Sequence, residues 1–124
     1  MGSIREFEDL LAWQKARELT KAIYTITGDG KFARDFGLRD QIQRASVSIM
    51  SNIAEGFERG SNAEFYRFLA MARASCAEVR SQLYIARDIE YIDQPTFDEL
   101  MALARQTARI IGGLRASVAK KLDR

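Results

Sequence analysis

The sequence predicts an all-α protein that folds as an antiparallel, up-down-up-down four-helix bundle. Four long stretches carry apolar residues at helical spacing, the connections between them are mostly short, and no segment shows the alternation of a strand. The 124 residues, 47% of them apolar, suffice for one domain, residues 1–124, with a core of its own.

The first helix is predicted over about residues 7–27. Its buried stripe is expected to consist of Leu11, Leu19, Ile23 and Ile26. The Gly-Asp-Gly sequence at residues 28–30 ends this helix, and the connection that follows is the longest loop of the prediction. Phe32 and Phe36 are expected to pin that loop to the core.

The second helix, about residues 38–57, is expected to be central, because most of its circumference is apolar or small. Its core face consists of Leu38, Ile42, Ala45, Ile49, Ile53 and Phe57. A row of polar residues lies beside that face: Gln41, Arg44, Ser48, Asn52 and Glu55. We name this row, together with Glu78 of the third helix, the polar seam. Gly56 is expected to serve the end of this helix.

The polar seam has two interpretations. As an active site it lacks a base beside Ser48, and roughly 16 Å separate Arg44 from Glu55 at about 1.5 Å per residue. As a structural layer it fixes the helix register or a subunit contact, and we favour this interpretation because charged groups near a core are usually paired. The tight turn between helices two and three brings Arg44 near Glu78, so we predict an ion pair between these two residues.

The chain contains no histidine, which removes the commonest general base, the Ser-His and Cys-His nucleophile pairs and the imidazole metal ligands. The single cysteine, Cys76, cannot form an internal disulfide and is expected in the core. We therefore predict no catalytic residue and no metal site. No stretch resembles a membrane span or a signal peptide, so a cytoplasmic protein without membrane contact is predicted.

The third helix is predicted over about residues 61–90. It starts with a capping box, in which the Ser61 hydroxyl accepts from the Glu64 amide and the Glu64 side chain reaches back. Its buried stripe consists of Phe65, Leu69, Ala72, Cys76, Val79, Leu83 and Ala86. A basic stripe recurs every seven residues with a drift of about 20° per step, and two tyrosines lie within reach of it. These residues are Arg73, Arg80, Arg87, Tyr66 and Tyr84.

The fourth helix is predicted over about residues 95–121. Its buried side consists of Phe97, Leu100, Ala104, Ala108, Ile111, Leu114, Val118 and Leu122. The apolar arc from Ile110 and Leu103 round to Met101 is wider than a bundle core requires, which predicts a face for self-association. The glycine pair at residues 112–113 weakens the helix interior and predicts a close helix contact or a local bend there.

Basic stripes are the better functional candidates. On the fourth helix a second stripe lies opposite the apolar face and consists of Arg105, Arg109, Lys120 and Arg124. Such rows of cations can follow a phosphate backbone while tyrosines stack on unpaired bases. The alternative is a solvated face balanced by acidic neighbours, which we favour for a single subunit because the net charge is only +2. In an oligomer each stripe is repeated, so that weak contacts add.

Several sequence motifs of the chain are similar to those of a known protein family. They are Phe7-x-x-Leu10-x-x-Trp13-Gln14-Lys15-Ala16, Gln41-Ile42-x-Arg44-Ala45-x-x-Ser48-Ile49-x-Ser51-Asn52-Ile53-Ala54-Glu55-Gly56, Glu64-Phe65 and Ser75-x-x-Glu78. Over nearly the whole chain they resemble the four-helix-bundle proteins called 23S rRNA intervening-sequence proteins. The resemblance implies a bacterial protein that assembles into a homopentameric ring. Relatives include accessory proteins of diversity-generating retroelements, which bind nucleic acid and a reverse transcriptase, and the resemblance brings no enzymatic activity or cofactor.

The chain departs from this family at two positions. It has Met50 where the family usually has proline, so a kink expected there is softened. It has Arg39 where the family often has serine or threonine, so the start of helix two is expected to lack a side-chain cap.

Three functions are consistent with the sequence. The first is a non-enzymatic, oligomeric adaptor associated with nucleic acid, most simply with RNA or a nucleoprotein. The second is a protein-interaction scaffold that does not bind nucleic acid directly and whose charges only keep it in solution. The third and least supported is an enzyme that uses Glu55 or Glu78, which requires a dry pocket holding a carboxylate with a strongly raised pKa.

Overall fold

The computed structural model describes residues 4–122. Within them the chain forms a 3-10 turn, Phe7–Asp9, and five α-helices: α1, Leu11–Ile26; α2, Gly30–Arg34; α3, Phe36–Glu58; α4, Asn62–Asp88; and α5, Gln94–Leu122. This part of the chain contains no β-strand. The all-α prediction is confirmed, and the four long helices correspond to the four that the sequence predicts.

The four long helices pack around one hydrophobic core. α3 contacts both α1 and α4, and α5 contacts both α4 and α1, so each long helix lies beside two others. The core face of α3 is buried as predicted, and Ile42, Ile49 and Ile53 have no exposed surface. Removal of these apolar side chains from water is the main favourable contribution to folding.

One core prediction on α1 is wrong. Leu11 is 55% exposed, whereas its neighbours Leu10 and Ala12 are buried. The reason is the helical position of Leu11, which lies about 100° round α1 from Ala12 and so outside the face that buries Ala12, Ala16, Leu19 and Ile23.

The predicted loop before α3 is mostly helical. It contains α2, and α3 begins at Phe36, where the Asp35 side chain accepts a hydrogen bond from the Leu38 amide at 3.1 Å. Asp35 therefore supplies the cap that was expected to be missing at the start of this helix. Phe32 is buried as predicted, but Phe36 is 63% exposed and its ring lies under the Arg39 guanidinium at 4.7 Å.

Gly56 lies inside α3 rather than serving its end. The helix continues to Glu58, and Gly56 is buried against α4. A Cβ atom added there would lie 2.5 Å from Phe68 Cβ and 3.2 Å from a ring carbon of Phe65. The glycine thus allows α3 and α4 to approach more closely than any residue with a side chain permits.

The cap of α4 agrees with the prediction in one half only. The Ser61 hydroxyl accepts from the Glu64 amide at 3.1 Å. The Glu64 carboxylate turns outward instead of reaching back, and it pairs with Arg67 at 3.0 Å and with Arg59 at 3.7 Å. Two nearby guanidinium groups attract this carboxylate away from the helix end.

The apolar arc of α5 is used inside the subunit. Met101 is buried, and Leu103 and Ile110 pack against the core. The arc therefore gives no separate reason to expect self-association, because the bundle itself covers it. Large apolar side chains are exposed instead on α4, at Met71, Tyr84 and Ile85, and directly after its end, at Ile89.

Candidate functional site

A groove between α4 and α5 is lined by five arginines. It encloses about 560 Å³. Its walls carry five arginines, two from α4 and three from α5, and its floor is made of alanines. We name it the arginine groove: Arg73, Arg80, Arg105, Arg109 and Arg115 above Ala70, Ala74, Ala77 and Ala108. The small floor residues leave room for a ligand to lie between the guanidinium groups.

No carboxylate neutralises these arginines within residues 4–122. No Asp or Glu lines the groove, and none of its five arginines lies within 4.0 Å of a carboxylate. The ion pairs of this part of the chain lie elsewhere, at Lys15–Glu18, Arg39–Asp40, Arg59–Glu55, Arg59–Glu64 and Arg67–Glu64. Like charges gathered in one concave surface produce a local positive potential, although the net charge of the chain is only +2.

Arg115 is a groove residue that the sequence analysis missed. Its Nε donates to the backbone carbonyl of Tyr66 at 3.1 Å, and its guanidinium lies 3.7 Å from the centre of the Tyr66 ring. The carbonyl and the ring together hold the guanidinium plane in one orientation. The two Nη groups form no hydrogen bond within the described residues, so they are available to an oxygen ligand.

The guanidinium of Arg73 lies beside one of the two glycines inside α5. A Cβ atom at Gly112 would lie 3.6 Å from Cζ of Arg73, an ordinary van der Waals separation, so this contact does not itself require glycine. The predicted close contact at this position is therefore with a side chain, not with another helix. Gly113 has open space around its Cα.

Tyr84 continues the line of the groove on α4, one helical turn beyond Arg80. Its side chain is 50% exposed. The centres of the Tyr84 and Phe97 rings lie 5.1 Å apart with the ring planes at 63°, an edge-on contact that holds the tyrosine ring while half of the side chain stays exposed.

The structure brings together only part of the predicted basic surface. Arg73 and Arg80 join Arg105 and Arg109 in the groove. Arg87 instead braces the turn between α4 and α5, where it donates to the Gln94 side chain at 3.0 Å and to the Ile92 carbonyl at 3.4 Å. Lys120 is exposed but does not line the groove, and Arg124 lies outside the described residues.

Three residues of the polar seam, Ser48, Asn52 and Glu55, have side chains bonded to neighbouring residues. Asn52 donates to the carbonyl and the hydroxyl of Ser48, at 2.9 and 3.0 Å, and the Ser75 hydroxyl donates to the Ser48 hydroxyl at 3.1 Å. Glu55 pairs with Arg59 at 3.0 Å. The Ser48 hydroxyl oxygen is thus occupied by two structural hydrogen bonds, one from Asn52 within α3 and one from Ser75 that joins α4 to α3.

The predicted ion pair between Arg44 and Glu78 is wrong. Both residues line one cleft of about 340 Å³ together with Gln41 and Gln82, yet they form no ion pair. Both side chains are exposed, and solvation of two exposed charges offsets most of the attraction between them.

Other chemistry-bearing groups are few. Cys76 is buried, and its burial raises the pKa of the thiol to about 11, which keeps it protonated and unreactive. Among residues 4–122 no three acidic or cysteine side chains are grouped as metal ligands. No helix in this range is both long enough and apolar enough to cross a membrane.

Comparison with known proteins identifies relatives of the chain. The model of one family, described as 23S rRNA-intervening sequence protein, matches residues 8–113. A solved structure, a protein of unknown function from the S23 ribosomal protein family of Bacteroides thetaiotaomicron, has a TM-score of 0.77 at 21% identity. That similarity covers 85% of this chain and 98% of the other, and it shows a shared fold. The comparison with curated proteins gives no match.

Proposed function

The chain belongs to the 23S rRNA-intervening sequence protein family, and from this premise we propose that it is a non-enzymatic adaptor that binds RNA, alone or in a nucleoprotein, through the arginine groove. The observation that carries the proposal is the set of five arginines without a carboxylate partner in the described chain. Guanidinium groups form paired, charge-assisted hydrogen bonds with phosphate oxygens, which makes a phosphate backbone the natural ligand of such a surface.

A groove suits a polymer better than a small anion. The lined part of α4, from Ala70 to Arg80, extends about 15 Å at about 1.5 Å per residue. Positive charge is distributed along this length rather than gathered at one point, and the alanine floor supplies no groups that distinguish one base from another. We therefore expect binding to depend on phosphate charge and only weakly on base sequence.

The proposal includes the up-down-up-down course of the long helices. Several contacts support opposite directions for neighbouring helices: Ser48 meets Ser75 while Gly56 lies against Phe68, so rising numbers on α3 meet falling numbers on α4. On α5 the corresponding contacts are those of Tyr84 with Phe97 and of Tyr66 with Arg115.

We also propose assembly into a closed homo-oligomer, a pentameric ring, in the bacterial cytoplasm. Repetition of the groove in each subunit would raise the effective concentration of binding sites along one RNA, so that individually weak contacts add. The exposed apolar residues Met71 and Ile85 on α4, and Ile89 directly after it, are surfaces that a neighbouring subunit could cover. A lone, buried cysteine agrees with a reducing compartment.

A second candidate is a scaffold that binds another protein. The exposed pair Ile85 and Ile89, four residues apart, favours it, because neighbouring apolar side chains on a surface often mark a protein contact. In this case the arginines would serve solubility, and RNA would have no effect on the protein.

Solution mass, measured by light scattering on a sizing column with and without a short single-stranded RNA, tests both candidates. We expect a ring whose mass rises with RNA at low salt and returns at moderate salt, because phosphate contacts release counterions. A ring indifferent to RNA at every salt concentration would refute the adaptor and favour the scaffold. A monomer would refute the assembly and the additive binding that depends on it.

A further inference from the structure

The two ends of the arginine groove differ in chemistry. At one end Arg115 lies flat on Tyr66 with its Nη groups available, and Arg73 rests against Gly112 next to it. At the other end Arg80 is followed, one turn later on the same side of α4, by the half-exposed ring of Tyr84. A ligand that extends along the groove from Arg115 to Tyr84 therefore contacts cations over most of its length and an aromatic ring at the Tyr84 end.

The length of this line limits the ligand. From Ala70 to Tyr84 the helix rises about 21 Å at about 1.5 Å per residue. A strand with the spacing of duplex DNA, about 3.4 Å per nucleotide, would place about six nucleotides along it, and an extended strand would place fewer. The site in one subunit is therefore short.

We propose, as an extension of the function proposed above, that the arginine groove binds a single unpaired strand, with phosphates along the five arginines and a base stacked on Tyr84. Tyr84 can accept any base, because every base has a flat aromatic face. Phe97 supports the tyrosine ring from its edge, so the ring is already in place before the strand binds.

A duplex fits this arrangement less well than a single strand. In a duplex the bases are paired and stacked on one another, and none can lie on Tyr84 without being unpaired. The groove also has arginines on both of its walls, so a single backbone between α4 and α5 can meet both rows, whereas one edge of a rigid duplex meets them only in part.

Fluorescence anisotropy with three matched ligands tests the proposal. The ligands are a short labelled oligouridylate, the same strand paired with its complement, and an abasic strand with the same number of phosphates. We expect the unpaired oligouridylate to bind most tightly, and the duplex and the abasic strand to bind at least about five-fold more weakly, which corresponds to the loss of one stacked base.

Replacement of Tyr84 separates stacking from charge. Tyr84→Leu should weaken oligouridylate binding about five-fold or more and leave abasic binding unchanged, whereas Tyr84→Phe keeps the ring and should bind as the wild type does. The control is Tyr24→Leu, a tyrosine of similar exposure (46%) on α1, a helix that contributes no residue to the groove.

Equal affinity for the duplex or for the abasic strand, or unchanged binding by Tyr84→Leu, would overturn the single-strand proposal while nucleic-acid binding itself would stand. Failure of all three ligands to bind at low salt would overturn the proposed function and this inference together. Helical content of each variant, measured by circular dichroism, shows whether a loss of binding reflects a loss of fold.

Discussion

Replacement of Arg80 and Arg105 by glutamine is expected to weaken RNA binding about ten-fold or more, because two phosphate contacts of the arginine groove are lost. Both side chains line the groove, and neither is paired with a carboxylate in the described chain. Glutamine keeps the polar character and much of the length of arginine while it removes the charge. The fold should therefore be retained.

Salt dependence gives this prediction a second, independent readout. For a single strand the slope of log affinity against log salt falls by about 0.7 per phosphate contact, so the double variant should have a slope smaller in magnitude by about 1.4. The matched control is Arg17→Gln with Arg34→Gln, which removes the same charge from α1 and α2, outside the groove. Equal weakening by the control pair would show that only total charge matters, and would contradict a specific groove.

Gly56→Ala is expected to destabilise the fold by about 1–2 kcal/mol. The added methyl group would lie 2.5 Å from Phe68 Cβ, an atom attached directly to the backbone of α4 that cannot move aside without the helix. A separation this short places the cost in the upper part of the usual range for overpacking, about 2–3 kcal/mol, and the better helix propensity of alanine recovers about 1 kcal/mol of it. The free energy of unfolding, from urea denaturation, measures the difference.

Gly113→Ala is the matched control for this substitution. Gly113 also lies inside a long helix but has no atom within 4 Å of a built Cβ, so the same change should increase stability by up to about 1 kcal/mol. Opposite signs for the two variants would confirm that the close approach of α3 and α4 determines the effect. A Gly56→Ala variant as stable as the wild type would contradict the packing described for this pair of helices.

The helices could be predicted from sequence because their signals are local. Apolar spacing gave the long helices and the buried face of α3, and Ser61 marked the start of α4. Predictions for single residues were wrong mainly where the role of the residue depends on contacts with distant parts of the chain. Gly56 resembles a helix-end glycine by its own sequence, and only Phe68 of the next helix, packed against it, explains why a glycine lies inside α3. The cap of α3 was missed although its signal is local, because Asp35 lies only three residues before the Leu38 amide from which it accepts.

The arginine groove could be predicted only in part, because it is made by two helices. Each basic stripe was visible, but the rotation of α4 against α5 decides which arginines face one another. Arg115 lies about 80° round α5 from Arg105 and so fell outside the stripe (ten residues at about 100° each). A signal was present in the small residues Ala108 and Gly112, which lie on the same side of α5 between these two arginines.

At the polar seam the sequence predicted which residues lie close together but not which of them form bonds. The tight turn between α3 and α4 brought Arg44 and Glu78 to one cleft as predicted, but proximity of two exposed charges did not make an ion pair. The hydrogen bond that joins the two helices comes instead from the Ser75 hydroxyl to the Ser48 hydroxyl, and Asn52 of α3 donates to the same Ser48 hydroxyl.

Ultraviolet cross-linking of a 4-thiouridine RNA, followed by mass spectrometry of the linked peptides, tests most directly that the arginine groove is the RNA-binding surface. We predict cross-links within residues 70–84 of α4 and 105–115 of α5, with Tyr84 among the linked residues, and their loss as salt is raised. Cross-links that map instead to α1 or to the outer side of α3, or that do not respond to salt, would contradict the account.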